Sequence, residues 1–144
     1  MRVIGLDYGA RTVGVAVSDG TGLIATARET IFREHENQLR ETLRRIEALA
    51  GEEHAECIVL GLPLHMDGSM SERAEKTAAF GKKLETRIGL PVILQDERLT
   101  SREAQERLRG MGVPSSEWKE REDAIAAEII LQDYLDEQKR KTDV

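Results

Sequence analysis

Two apolar runs open the chain. Residues 2–8 (RVIGLDY) and 12–18 (TVGVAVS) are separated only by Gly9-Ala10-Arg11. The second run alternates, with Val13, Val15 and Val17 on one face and Gly14, Ala16 and Ser18 on the other. So short a connection between two such runs predicts an antiparallel hairpin. After the turn Asp19-Gly20-Thr21-Gly22, residues 23–32 predict a third strand, which completes a meander.

The period then changes. Leu39, Leu43, Ile46 and Leu49 recur at helical spacing and predict a helix over 35–51. Cys57-Ile58-Val59-Leu60-Gly61-Leu62 is a continuous apolar run, the pattern of a strand buried on both faces. Ser69 and Glu72 form a capping-box pattern that opens a helix to residue 88, with Ala74, Ala78, Gly81, Leu84 and Ile88 as its inner stripe. Residues 91–95 predict another strand. Thr100 and Glu103 repeat the capping-box pattern, with Ala104 and Leu108 facing inward. Gly110, Gly112 and Pro114 make 110–119 a loop and a candidate flap, and a final helix is expected over 121–138. A single domain over 1–138 is expected, with 139–144 a frayed tail.

The order β-β-β-α-β-α-β-α-α argues an α/β fold with a mixed sheet. Right-handed crossovers make the first, fourth and fifth strands parallel and put the first in the middle. The expected architecture is a five-stranded sheet of order 3-2-1-4-5 with helices on both faces, a ribonuclease-H-like layout.

Asp7 stands out against this background, as a carboxylate inside a buried strand. In such a sheet, ligands gather beyond the C-terminal ends of the parallel strands. Asp7 lies near that end of the first strand, and Asp96 and Glu97 lie at the end of the fifth. Asp123 shares a helical face with Ala127, Ile130 and Tyr134, and so points at the sheet. Converging carboxylates repel one another and lose solvation, and a divalent cation relieves both. Oxygen ligands without a Cys or His pattern favour Mg²⁺ or Mn²⁺. Two such ions about 4 Å apart suit phosphodiester hydrolysis. Each residue also has a plainer role: Asp7 bonding a turn, Asp123 favoured by a helix dipole, Glu97 ion-paired to Arg98 at the surface. Asp96 is an alternative to Glu97, because neighbours in an extended segment point to opposite sides.

Composition adds limits. Aromatic residues are only 3% of the 144 residues, so Leu, Ile, Val and Ala must fill the core. The one cysteine, Cys57, excludes a disulfide within the chain and suits a cytoplasmic protein. No signal-peptide pattern is seen, and no apolar run reaches the roughly 18 residues of a membrane helix. The formal charge of −6 argues against a basic nucleic-acid coat, although carboxylates that hold metal ions count toward it.

Four stretches in order, GLDYGARTVGVAVSD (5–19), VLGLPLHMDGSMSERA (59–74), DERLTSREA (96–104) and DAIAAEIILQDYL (123–135), resemble the YqgF (RuvX) family. That family is described both as Holliday junction resolvases and as pre-16S ribosomal RNA nucleases. The resemblance implies a divalent-metal nuclease with Asp7, Glu97 and Asp123 as the acidic positions. It also favours Glu97 over Asp96. His65 stands where the family often has Asn, so it reads as a solvated loop residue.

Around this site, Gly9, Arg11, Arg98, Arg102 and Lys119 are candidate phosphate contacts, with Arg121 beside them. Gly68 and Ser69 lie in a strand-to-helix loop that either receives a phosphate on its amides or is simply a structural turn. Trp118 either stacks on a base or anchors its loop. The expected partner is nucleic acid, with pre-16S rRNA ahead of branched DNA. Ribosomal particles are a further expected partner, and no membrane is. The chain is expected as a monomer or weak homodimer. The competing functions are a non-catalytic nucleic-acid binding module and an ATP-dependent phosphotransferase. The latter fold normally needs two such domains.

Overall fold

The computed structural model describes residues 2–97 and 100–142, without the side chains of residues 100, 101, 119 and 120. The strands are β1 (Val3–Tyr8), β2 (Thr12–Ser18), β3 (Ala25–Phe32), β4 (Cys57–Leu62) and β5 (Val92–Asp96). They join in the order β3-β2-β1-β4-β5. β1 pairs antiparallel with β2 and parallel with β4, and β5 is parallel to β4. This is the mixed, ribonuclease-H-like sheet that the hydrophobic pattern predicts.

Side-chain alternation divides the core. Ile4, Leu6 and Tyr8 of β1, with Val13, Val15, Ile58 and Leu60, face α1 (Arg40–Glu52) and α2 (Glu72–Ile88), which supply Ile46, Leu49, Phe80 and Leu84. Val3, Ala16, Cys57 and Val59 face α4 (Trp118–Thr142), which supplies Ala127, Ile130, Leu131 and Tyr134. α4 is apolar on a second face as well. Ile125, Ala126 and Ile129 pack against Ala104 and Leu108 of α3 (Thr100–Gly110). A helix buried between a sheet and another helix has no single apolar stripe.

Several boundaries differ from the pattern-based expectation. α1 begins at Arg40 rather than near residue 35. The Glu36 carbonyl, which a longer helix would use internally, instead accepts from Arg33 Nε at 3.2 Å. α2 is capped by Ser71, not by Ser69. Ser71 Oγ accepts from the Ala74 amide at 2.9 Å and donates to the Pro63 carbonyl at 2.6 Å. Ser69 is captured two residues earlier, its amide and hydroxyl both bonded to Asp67 Oδ1 at 2.9 and 2.6 Å. Gly89, at φ 80°, closes the helix. The inner face of α2 also includes Thr77 and Phe80.

The expected loop at 110–119 is much shorter. α3 runs through Gly110, a 3-10 turn covers Ser115–Glu117, and α4 starts at Trp118. Trp118 Nε1 donates to the Val113 carbonyl at 2.8 Å, and both residues pack against the α3–α4 core. At its other end α4 continues to Thr142, past the expected end at 138. The capping role of Thr100 concerns a side chain outside the described residues.

Candidate active site

The site is built by glycines as much as by acids. Val3, Gly5 and Asp7 alternate toward the α4 face of β1, and Asp7 lies directly opposite Gly14 of β2. A Cβ added at Gly14 would overlap the backbone carbonyl of Asp123. One added at Gly5 would come within 2.6 Å of Leu131 Cβ. One added at Gly61 of β4 would lie 2.5 Å from Ile130 Cδ1 and 2.8 Å from Glu97 Cδ. No side chain fits at these places. The row lets α4 settle onto the sheet and brings Asp123 and Glu97 toward Asp7. The glycines on either side of Asp7 therefore make room for a helix and for the Glu97 side chain.

Glu97 follows β5, anchored by its amide on the Leu62 carbonyl at 3.1 Å. Its side chain turns in over Gly61, whereas that of Asp96 is exposed. Asp7 and Glu97 share a hydrogen bond between their carboxyl groups. Burial, the negative charge of Asp7 and that hydrogen bond raise Glu97 to about 9, so Glu97 is the proton donor. Burial first, then the charge of Asp123, raises Asp7 to about 7, against the opposing hydrogen bond from Glu97. Two half-buried carboxyl groups from distant parts of the chain are thus joined by a hydrogen bond, beside the negative charge of a third.

The other sequence-derived candidates are less concentrated. Gly9 closes the hairpin, its amide bonded to the Thr12 carbonyl at 2.7 Å, and Arg11 is exposed at the tip. Gly68 and Ser69 lie in the loop after β4, with their amides already bonded to the His65 carbonyl and to Asp67. His65 is exposed there. Arg102 is exposed on α3 and pairs with Glu106 at 3.6 Å. Lys119 falls in the first turn of α4, not in a loop, and its side chain is outside the described set. Arg121 is exposed beside Ala27–Thr30 of β3. Arg98 lies outside the described residues. Trp118 is an anchor, with the Arg109 guanidinium 5.5 Å from its ring centroid.

Two features escape the sequence. Glu122, next to Asp123, adds a further negative charge that raises Asp7, and its adjacency is the only linear signal. Arg33 and Arg73 reach the same end of β1 from the turn after β3 and from the first turn of α2. Arg33 Nη2 donates to the Gly9 carbonyl at 2.7 Å, and the charge of Arg73 partly offsets the rise at Asp7. Arg73 lies within the quoted stretch 59–74, but Arg33 lies in none.

A sequence profile described as "RuvX: Holliday junction resolvase" matches residues 1–137. The chain belongs to the RuvX family. Among its relatives, a Lachnospira eligens protein named "Putative pre-16S rRNA nuclease" is 45% identical over 140 residues, covering 97% of this chain and all of the relative. A Listeria monocytogenes protein of the same name is 44% identical over 136 residues, covering 94% and 98% of the two chains. The RuvX chain also shares its fold with RuvC of Thermus thermophilus, solved in complex with a Holliday junction substrate. The TM-score is 0.55 at 21% identity, covering 96% and 95% of the two chains. The fowlpox virus Holliday junction resolvase gives 0.53 at 13%, covering 96% and 99%.

Proposed function

We propose that this RuvX protein is a divalent-metal endonuclease that trims the 5′ end of pre-16S ribosomal RNA, with Asp7, Glu97 and Asp123 holding Mg²⁺ or Mn²⁺. The observation that carries the proposal is the convergence of the Asp7 and Glu97 carboxyl groups, joined by a hydrogen bond, at the place where α4 brings Asp123 over Gly14. Buried acids kept this close are costly on their own. A cation in place of the shared proton turns the cost into binding.

The donor set fits a hard cation, since every side chain offered is a carboxylate. Among the described residues, no three His, Cys, Asp or Glu side chains are already gathered at chelating distance. Asp123 would therefore complete the set by turning toward the Asp7–Glu97 pair. When bound, such a cation generates hydroxide from water and stabilises the leaving oxygen. The chain's own part is positional. β1 fixes Asp7, the Glu97 amide anchors Glu97 at the end of β5, and the close approach of α4 over Gly14 sets Asp123. Gly9, Arg11, Arg98, Arg102 and Lys119 are proposed to meet substrate phosphates around them. Gly68 and Ser69 would do so only on releasing His65 and Asp67.

The substrate proposal follows the relatives' names, and a cytoplasmic setting suits the free, buried Cys57. Among the described residues, no helix is long and apolar enough to cross a membrane. The second reading is Holliday junction cleavage, favoured by the family description and by the fold shared with RuvC. It requires a symmetric dimer that presents two sites to paired strands. A non-catalytic binding module is disfavoured, because a pure binder of polyanions gains nothing from clustered acids. The deciding experiment offers the protein an RNA spanning the immature 5′ end of 16S rRNA and, in parallel, a four-way DNA junction, each with Mn²⁺, Mg²⁺ or EDTA. Metal-dependent cutting of the RNA is expected. Cutting of the junction alone would select the second reading.

A further inference from the structure

Arg33 and Arg73 converge on one aromatic ring. Each guanidinium carbon lies 4.8 Å from the Tyr8 centroid, and Tyr8 in turn stacks on Phe80 at 4.0 Å with an interplanar angle of 10°. Burial, with the Arg73 charge beside it, holds Arg33 below its ordinary pKa. Like charges brought together on a buried ring call for acceptors, and the supply is short. Arg33 Nε and Nη2 use the carbonyls of Glu36 and Gly9. Arg73 Nη1 donates to the Glu36 carboxylate at 2.6 Å, which Lys76 also approaches at 3.6 Å. Arg33 Nη1 and Arg73 Nε and Nη2 are buried with no hydrogen-bond partner. Buried cationic donors left without acceptors are expensive, and a site that keeps them is organised for an acceptor with more oxygens than Glu36 offers.

We propose that Arg33, Arg73 and Lys76 form a seat for one backbone phosphate of the nucleic-acid substrate, and that the Glu36 carboxylate keeps this seat in the free protein. Guanidinium groups take carboxylate and phosphate in the same fork geometry, so one can replace the other. Glu36 can leave, because it sits on the non-helical segment between β3 and α1. A phosphate in its place presents further oxygens to the orphaned donors.

Position supports the assignment. Tyr8 and Asp7 are neighbours on β1 that point to opposite faces, so the seat and the carboxylates flank the same C-terminal edge of the sheet. A strand crossing that edge meets the acids on one side and the arginines on the other. A cleft of about 380 Å³ leads on from Glu36 past Tyr8 and Phe80, with Lys76 and Lys83 in its wall. The inference rests on the nuclease reading only for the identity of the ligand, and its test needs no catalysis.

The experiment is binding of a labelled single-stranded RNA in EDTA across a range of salt. It compares wild type, Arg73→Ala, Arg73→Lys and Glu36→Gln, each with a thermal melt. Arg73→Ala should weaken binding about tenfold and make the log affinity–log salt slope shallower by about one ion. Arg73→Lys should recover the slope but only part of the affinity. Glu36→Gln should tighten binding several-fold. Unchanged affinity and slope in a folded Arg73→Ala overturn the proposal. So does Glu36→Gln binding more weakly than wild type, which would make Glu36 a scaffold for the arginines; this arm decides alone if Arg73→Ala does not fold. Wild type that binds neither RNA nor a four-way junction would remove the nuclease reading itself, and the seat with it.

Discussion

The Glu97 carboxyl group occupies the volume that a side chain at Gly61 would need. A Cβ there would lie 2.8 Å from Glu97 Cδ and 2.9 Å from Oε2. Gly61→Ala therefore displaces both the Glu97 carboxyl group and the Ile130 side chain, whose Cδ1 would lie 2.5 Å from the new Cβ, before it disturbs the strand. Stability should fall by about 1–3 kcal/mol, the usual cost of overpacking, and metal-dependent cleavage should be lost even where the protein stays folded. Gly14→Ala should cost more stability, because the obstacle is the Asp123 backbone rather than a side chain that can swing away. Urea unfolding of both variants, followed by a cleavage assay on the folded fraction, checks the order.

The shared proton makes stability depend on pH. Both carboxyls titrate above their ordinary values of 3.8 and 4.5, near 7 for Asp7 and near 9 for Glu97. The folded chain then binds more protons than the unfolded chain across that window, so stability falls as pH rises through it. The contribution is fully present below the ordinary carboxylate range and is lost progressively as pH climbs from 3.8 to about 7 for Asp7 and from 4.5 to about 9 for Glu97. In EDTA, the melting temperature of the wild type should drop more steeply from mildly acidic to alkaline pH than that of Asp7→Asn. Added Mg²⁺ or Mn²⁺ should flatten the wild-type profile. Parallel profiles for the two proteins would argue against the shared proton.

Helix capping offers a separate check on the loop after β4. Ser71→Ala removes the cap on the Ala74 amide and the bond to Pro63, and should cost about 1 kcal/mol or somewhat more. Ser69→Ala should cost less, because it removes a bond within an exposed turn. Equal losses in chemical denaturation would return the cap to Ser69.

Trp118 is the only tryptophan, so its emission reports its role directly. Its indole is committed to the Val113 carbonyl and to the α3–α4 core. Saturating RNA should leave the emission nearly unchanged, and Trp118→Phe should cost about 1 kcal/mol of stability with RNA affinity retained. Strong quenching by RNA would instead make Trp118 a base-stacking residue.

Much of this was legible in the chain. Period-two and period-3.6 patterns, with right-handed crossovers, fix the strand order, and alternation on β1 sends Asp7 to the α4 face. The face of α4 that carries Asp123, Ala127, Ile130 and Tyr134 is readable for the same reason. What the pattern hides are contacts between distant residues. A glycine in a strand looks alike whether it admits a helix, as Gly14 does, or merely ends a turn. Ser69 satisfies a capping rule on paper, but Asp67 competes for it at shorter range. Arg33 and Arg73 look like solvated charges until the fold places them on Tyr8.

Asp7 is the centre of the proposed carboxylate set. The most direct measurement is the rate at which wild type and Asp7→Asn cut the precursor RNA in Mn²⁺, with EDTA as control and a melt to show that both are folded. The wild type should cut in a way that EDTA abolishes, and the variant should lose at least about a hundredfold, since outer-shell partners of a metal site alone are worth 10–100-fold. Equal cutting by a folded Asp7→Asn would contradict the proposed role of Asp7.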